Sequence, residues 1–283
     1  MFTTLIDPVT LVSHLADPAW VVLDARFDLG EPDKGRSQYG AGHLPGARYV
    51  DLNKDLSAEK TGRNGRHPLP APDVAAARFA ALGIGPATQV VVYDADTSMY
   101  AARAWWMLRW LGHDAVAVLD GGLARWVAEG LPVTSEVPTW APAAFEPRVR
   151  AGWRLTADEV SARLGDPGVR LVDARSKERY LGRGETIDAV AGHIPGATSC
   201  FYGQNLTEAK TFKPAEELRA LWASIVGDDP QKAVMYCGSG VTACHNLLAL
   251  EVAGLHGARI FPGSWSEWVQ DPARPVATAD ESA

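Results

Sequence analysis

The sequence predicts an α/β protein built from two tandem copies of one domain, each a mostly parallel sheet flanked by helices. Three observations lead there: an internal duplication, short apolar runs with strand character, and helix-start signals between those runs. The duplication comes first. Val21-Val-Leu-Asp24-Ala-Arg26 returns as Arg170-Leu-Val-Asp173-Ala-Arg175, an offset of 149, and Ala41-Gly-His43-Leu-Pro-Gly46-Ala returns as Ala191-Gly-His193-Ile-Pro-Gly196-Ala, an offset of 150. Gln89–Asp94 aligns with Lys232–Cys237 at 143, and Gly121–Trp126 with Gly263–Trp268 at 142. Four matches in one order, with a period far beyond that of solenoid repeats, indicate two related domains. The length of 283 residues fits two cores at ~150 residues each.

Trp20–Leu23, Val90–Tyr93, Leu171–Val172 and Ala233–Tyr236 are short and rich in Val, Leu and Ile, as buried parallel strands are. Asp7-Pro8 offers an N-cap with proline at the first helical position. Thr156-Ala-Asp-Glu159 is a capping box ahead of Val160 and Leu164. Strands alternating with helices imply parallel pairing through right-handed crossovers. Pro138–Arg154 carries several prolines and little periodicity, so the division is 1–137, a linker over 138–154, and 155–283.

Composition narrows the function. Hydrophobic residues make up 47% and charged residues 22%, the profile of a globular chain. No window approaches the ~20 apolar residues of a membrane helix, and the N-terminus lacks signal-peptide character. A net charge of -7 without clusters of Lys and Arg argues against nucleic acid as a partner. The three cysteines, Cys200, Cys237 and Cys244, form no Cys-x-x-Cys pair or zinc spacing. Free thiols in a reducing, cytoplasmic compartment, with no metal, are expected.

Strand Ala233–Tyr236 runs directly into Cys237-Gly-Ser-Gly-Val-Thr242, and a helical pattern follows. Cys237 therefore stands at the carboxyl end of a strand, where open α/β sheets place ligands. Gly238 and Gly240 permit a tight curl with N–H groups turned inward, and the helix adds its positive end. This environment stabilises a thiolate and predicts a nucleophilic cysteine. The alternative is a buried structural thiol, the common fate of a free cysteine, and it suits Cys244 and Cys200 better. A phosphatase loop would need arginine six residues on, where this chain has Ala243.

Cys237-Gly-Ser-Gly-Val-Thr-Ala resembles the active-site loop of 3-mercaptopyruvate sulfurtransferases, members of the tandem rhodanese group. The resemblance extends to both Gly-His-[Leu/Ile]-Pro-Gly-Ala motifs, to Trp105–Arg109 and to Gly263-Ser-Trp-Ser-Glu-Trp268. It implies rhodanese-like domains of which only the second is catalytic, with Asp94 in the place of the cysteine. It further implies a persulfide on Cys237, held by Gly238, Gly240, Val241 and Thr242, with no organic cofactor. The acceptor would be cyanide, a low-molecular-weight thiol or a protein thiol such as thioredoxin.

Thiosulfate-preferring relatives carry basic residues after the cysteine. The neutral Gly238-Ser239-Gly240 suits a donor whose carboxylate is gripped elsewhere, and Arg179 aligns with the family's first substrate arginine. The second arginine's position holds Thr186, with Arg183 as the nearest replacement. Ser239 and His67 match the family's proton relay, whose acidic position is Asn53, with Asp51 two residues before. For His67 the alternative is a surface-loop histidine, and for the two arginines solvated charges. His43 and His193, Asp24 and Asp173, and Arg26 and Arg175 recur in both halves and are expected to be structural. The competing readings are thiosulfate as donor, a persulfide carrier that hands sulfur to a partner with little turnover, or an inactive interaction domain.

Overall fold

The computed structural model describes residues 1–227 and 229–278. The chain divides into two compact units. One comprises residues 1–58, 70–150 and 208–212, and the other residues 59–69, 151–207 and 213–283.

The first unit holds five parallel strands, β1 (Leu5–Ile6), β2 (Trp20–Asp24), β3 (Arg48–Tyr49), β4 (Gln89–Tyr93) and β5 (Val116–Leu119), in the order β1-β5-β4-β2-β3. The second holds four, β6 (Arg170–Asp173), β7 (Thr198–Ser199), β8 (Ala233–Tyr236) and β9 (Arg259–Ile260), in the order β7-β6-β8-β9, again all parallel. Central β4 and β8 are buried along their whole length, which explains why they read as unbroken apolar runs rather than alternating patterns.

The helix-start signals behave as their chemistry requires. Asp7 caps helix Pro8–Val12 by accepting from the Thr10 N–H at 2.9 Å. Thr156 and Glu159 exchange both bonds of the capping box, at 2.8 and 3.2 Å. Residues 138–150 form neither helix nor strand and are hydrogen-bonded to the first unit. There the N–H groups of Ala143, Arg148 and Arg150 donate to the carbonyls of Ala80, Leu111 and Trp110.

The repeated motifs build the same device twice. At the end of β2, Asp24 receives a two-pronged contact from Arg26, and at the end of β6 Asp173 receives one from Arg175, with closest distances of 2.5 and 2.7 Å. The arginines then reach the carbonyls of Gly42 and Gly192 and so fasten each Gly-His loop to its strand. His43 and His193 are fully buried, stack on Tyr39 and Tyr180, and hydrogen-bond those residues' carbonyls through Nδ1 at 2.7 Å. Their role is structural in both copies.

Candidate active site

β8 delivers Cys237 into a loop that closes at Gly240, whose φ of +74° is the left-handed conformation glycine adopts without strain. Helix Thr242–Val252 follows. Cys237 is 2% exposed. Its carbonyl accepts from the Trp265 N–H and that of Gly238 from the Ser266 N–H, both at 2.9 Å. Among the described residues, the N–H groups of Gly238, Ser239 and Val241 donate to no protein acceptor. They are the donors available to an anionic sulfur.

The corresponding loop of the first unit shows what such donors do. There the Asp94 carboxylate accepts from the N–H groups of Ser98, Tyr100 and Ala101 at 2.8–3.2 Å. An internal carboxylate thus fills the anion position. Burial pushes Asp94 up to about 6, against the pull of the three N–H bonds. A folded value above the unfolded ~3.9 means that its stabilising contribution is complete below about pH 4 and is lost as the pH rises through about 6. Relative to the parent, Asp94→Asn is expected to gain up to about 3 kcal/mol between roughly pH 4 and pH 7. Urea unfolding at several pH values measures this, and a stability difference that does not change with pH contradicts it.

Sequence reasoning missed two residues that hold the loop. The first is Ser264, whose hydroxyl accepts from the Cys237 N–H at 3.1 Å and donates to the Phe261 carbonyl at 3.0 Å. Ser264 has φ +56°, and the aligned Gly122 has φ +57°. A serine strained at this position by ~1 kcal/mol is offset by those two hydrogen bonds. The duplication carried the signal, since glycine in one copy and serine in the other mark a positive-φ site.

The second is Arg66. Residues 59–69 belong to the unit of the cysteine, and the Arg66 N–H donates to the Ser266 hydroxyl at 2.9 Å. This places its guanidinium over the loop. A Cβ built on Gly238 would lie 2.8 Å from Arg66 Nη2 and 3.6 Å from both Nη atoms of Arg179. Nothing local announces such a contact.

His67 is buried rather than a surface-loop residue, and its Nδ1 lies 2.8 Å from the Ser239 hydroxyl. Arg179 pairs through Nε with Glu185 at 2.9 Å and through Nη2 with Asp188 at 2.8 Å. Burial pushes Glu185 up, but the Arg179 hydrogen bond and the N–H groups of Ile187 and Asp188 outweigh it and hold the carboxyl below its usual range.

Arg183 is exposed. Its N–H donates to the Glu178 carbonyl, and among the described residues no hydrogen bond or ion pair brings its side chain to the loop. Asp51, in the first unit, accepts from the N–H groups of Asn53 and Lys54 and so caps its own turn.

Cys200 follows β7, and burial pushes its thiol up to about 12. Cys244 lies in the helix and directs its thiol to the Gly240 carbonyl. Among the described residues, no group of three or more His, Cys, Asp or Glu is placed to hold a metal ion.

Fold and loop together define a duplicated α/β protein with one cysteine set in a glycine-containing loop between a strand and a helix. A rhodanese-like domain matches residues 7–129 and again 156–271, and the chain belongs to the rhodanese family. It is 46% identical over 273 residues to a Pseudomonas aeruginosa protein named "Probable 3-mercaptopyruvate sulfurtransferase", covering 95% of this chain and 96% of the relative. It is 38% identical over 256 residues to the thiosulfate sulfurtransferase of Rattus norvegicus, covering 89% and 85%. The 3-mercaptopyruvate sulfurtransferase of Leishmania major superposes with a TM-score of 0.83 at 31% identity, covering 94% of this chain and 74% of that one. That of Escherichia coli gives 0.81 at 30%, covering 94% and 100%. The chain is a sulfurtransferase of this type.

Proposed function

We propose that Cys237 takes sulfur from 3-mercaptopyruvate and passes it to a thiol or to cyanide. The observation that carries this reading is the pair of guanidiniums, Arg66 and Arg179, converging over a loop that is itself neutral. A forked cation pair beside Gly238 suits a donor carboxylate.

The Cys237 thiolate attacks the thiol sulfur of the donor. A sulfur–sulfur bond forms, the donor's carbon–sulfur bond breaks, and its electron pair passes into the enolate of pyruvate. The thiol proton returns to that enolate, and the hydrogen-bonded Ser239–His67 pair supports its transfer. The persulfide anion left on Cys237 faces the N–H groups of Gly238, Ser239 and Val241, an oxyanion-hole arrangement used for sulfur. An acceptor thiolate then attacks the outer sulfur, releasing Cys237 as its thiolate. This is a relative of thiol–disulfide exchange.

Candidate acceptors are low-molecular-weight thiols, a protein thiol such as thioredoxin, and cyanide. The three free cysteines support a reducing, cytoplasmic setting. Among the described residues no helix is long and apolar enough to cross a membrane.

The test is a comparison of kcat/KM for the two donors. 3-Mercaptopyruvate is expected to exceed thiosulfate by at least about tenfold, the worth of one charge-assisted hydrogen bond. A tenfold preference for thiosulfate contradicts the assignment.

A further inference from the structure

Six ionisable side chains of the second unit form a row of alternating charge: Asp173, Arg175, Glu185, Arg179, Asp188 and Arg66. Successive members lie 2.7, 3.6, 2.9, 2.8 and 2.6 Å apart. The row starts at the end of β6 and finishes over the cysteine loop. Asp188 is its last acid, and its side chain is 4% exposed. One of its oxygens takes Arg66 Nη1 and the other takes Arg179 Nη2. Its own N–H is fixed by Glu185 Oε1 at 3.1 Å.

Each guanidinium therefore spends one arm on Asp188. The remaining arms, Arg66 Nη2 and Arg179 Nη1, both lie near Gly238, and neither hydrogen-bonds a described residue. Arg66 Nε is buried and likewise without an acceptor.

We propose that Asp188 is a positioning residue for donor recognition: by taking one arm of each arginine, it aims the other arms at the anionic group of a donor bound beside Cys237. The proposal rests on the reading that Arg66 and Arg179 hold the donor's anion, whichever donor that is. Two like-charged guanidiniums left alone repel and splay, and each long side chain would have to be ordered when the donor arrives. A carboxylate bridging both removes the repulsion and fixes the plane of each rigid fork. The same carboxylate also lowers the positive field at the loop. Aiming and screening thus predict opposite effects when Asp188 is replaced.

The experiment alkylates Cys237 with iodoacetate and with iodoacetamide and takes the ratio of the two rates, using Cys237→Ser as the blank. The reagents share one chemistry and differ in charge, so the ratio reads anion recognition and cancels any change in thiolate population. It needs no sulfur donor, so it stands even if thiosulfate proves to be the substrate. Asp188→Asn, which keeps the shape, is expected to lower the ratio about tenfold. With whichever donor turns over, KM should rise about tenfold while kcat stays within about twofold. Asp188→Glu retains the charge but shifts the carboxylate by one methylene, and it should lower the ratio as well. A ratio that rises in Asp188→Asn, or that is unchanged in both variants, overturns the proposal; if the asparagine variant does not fold, the glutamate variant alone decides by the same criterion.

Discussion

Cys237→Ser is expected to lower sulfur transfer by roughly 10³- to 10⁶-fold, the range seen when a nucleophile is removed. The hydroxyl has nearly the shape of the thiol, and the backbone around it is fixed from outside: Ser264 takes its N–H, and the N–H groups of Trp265 and Ser266 take the carbonyls of residues 237 and 238. The variant should therefore fold, keep its cradle and bind the donor, yet hold no sulfur, because a hydroxyl at neutral pH is neither ionised nor able to form a persulfide. Neither remaining cysteine replaces it. Burial pushes Cys200 up to about 12, and Cys244 is buried with its thiol on the Gly240 carbonyl. Steady-state assays with an added thiol acceptor measure the loss, and residual turnover above about one percent contradicts it.

The largest effect on stability is expected at Asp173. Its side chain is fully buried and that of Arg175 is 1% exposed. Asp173→Ala leaves the buried Arg175 guanidinium with only the more distant Glu185 carboxylate, at 3.6 Å, so the cost is expected near the low end for breaking a buried pair, about 3 kcal/mol. The loss spreads, because Arg175 also reaches the Gly192 carbonyl at 2.6 Å and lies 4.8 Å from the centre of the Trp265 ring. Trp265 in turn donates to the Cys237 carbonyl. Removing one carboxylate loosens the Gly-His loop and the support of the cysteine together. Urea unfolding of the cysteine-bearing unit should show this drop, whereas a change below about 1 kcal/mol contradicts the account.

What the sequence made legible follows the range of each physical signal. Buried parallel strands leave unbroken apolar runs, so β4 and β8 were readable, and a capping box spans only four residues. The cysteine loop was readable because strand, nucleophile, glycines and helix are contiguous, and the duplication exposed Asp94 as its counterpart. The two-residue strands β3 and β7 carry too little pattern to stand out.

The arginine pair shows the limit. The family's second arginine is missing at Thr186, and proximity along the chain pointed to Arg183. The structure also brings the Arg66 guanidinium beside Gly238 together with that of Arg179, and Arg66 is anchored by Ser266, 200 residues away. No periodicity reports a contact of that range. Ser264 escaped notice for a related reason: its importance lies in a backbone angle that only the glycine of the other copy hints at.

The central claim, that Cys237 carries sulfur as a persulfide, is tested most directly by the intact mass of the protein after incubation with 3-mercaptopyruvate or with thiosulfate. A gain of one sulfur is expected, removed by cyanide and absent from Cys237→Ser. No adduct from either donor, or an adduct that persists in Cys237→Ser, would contradict it.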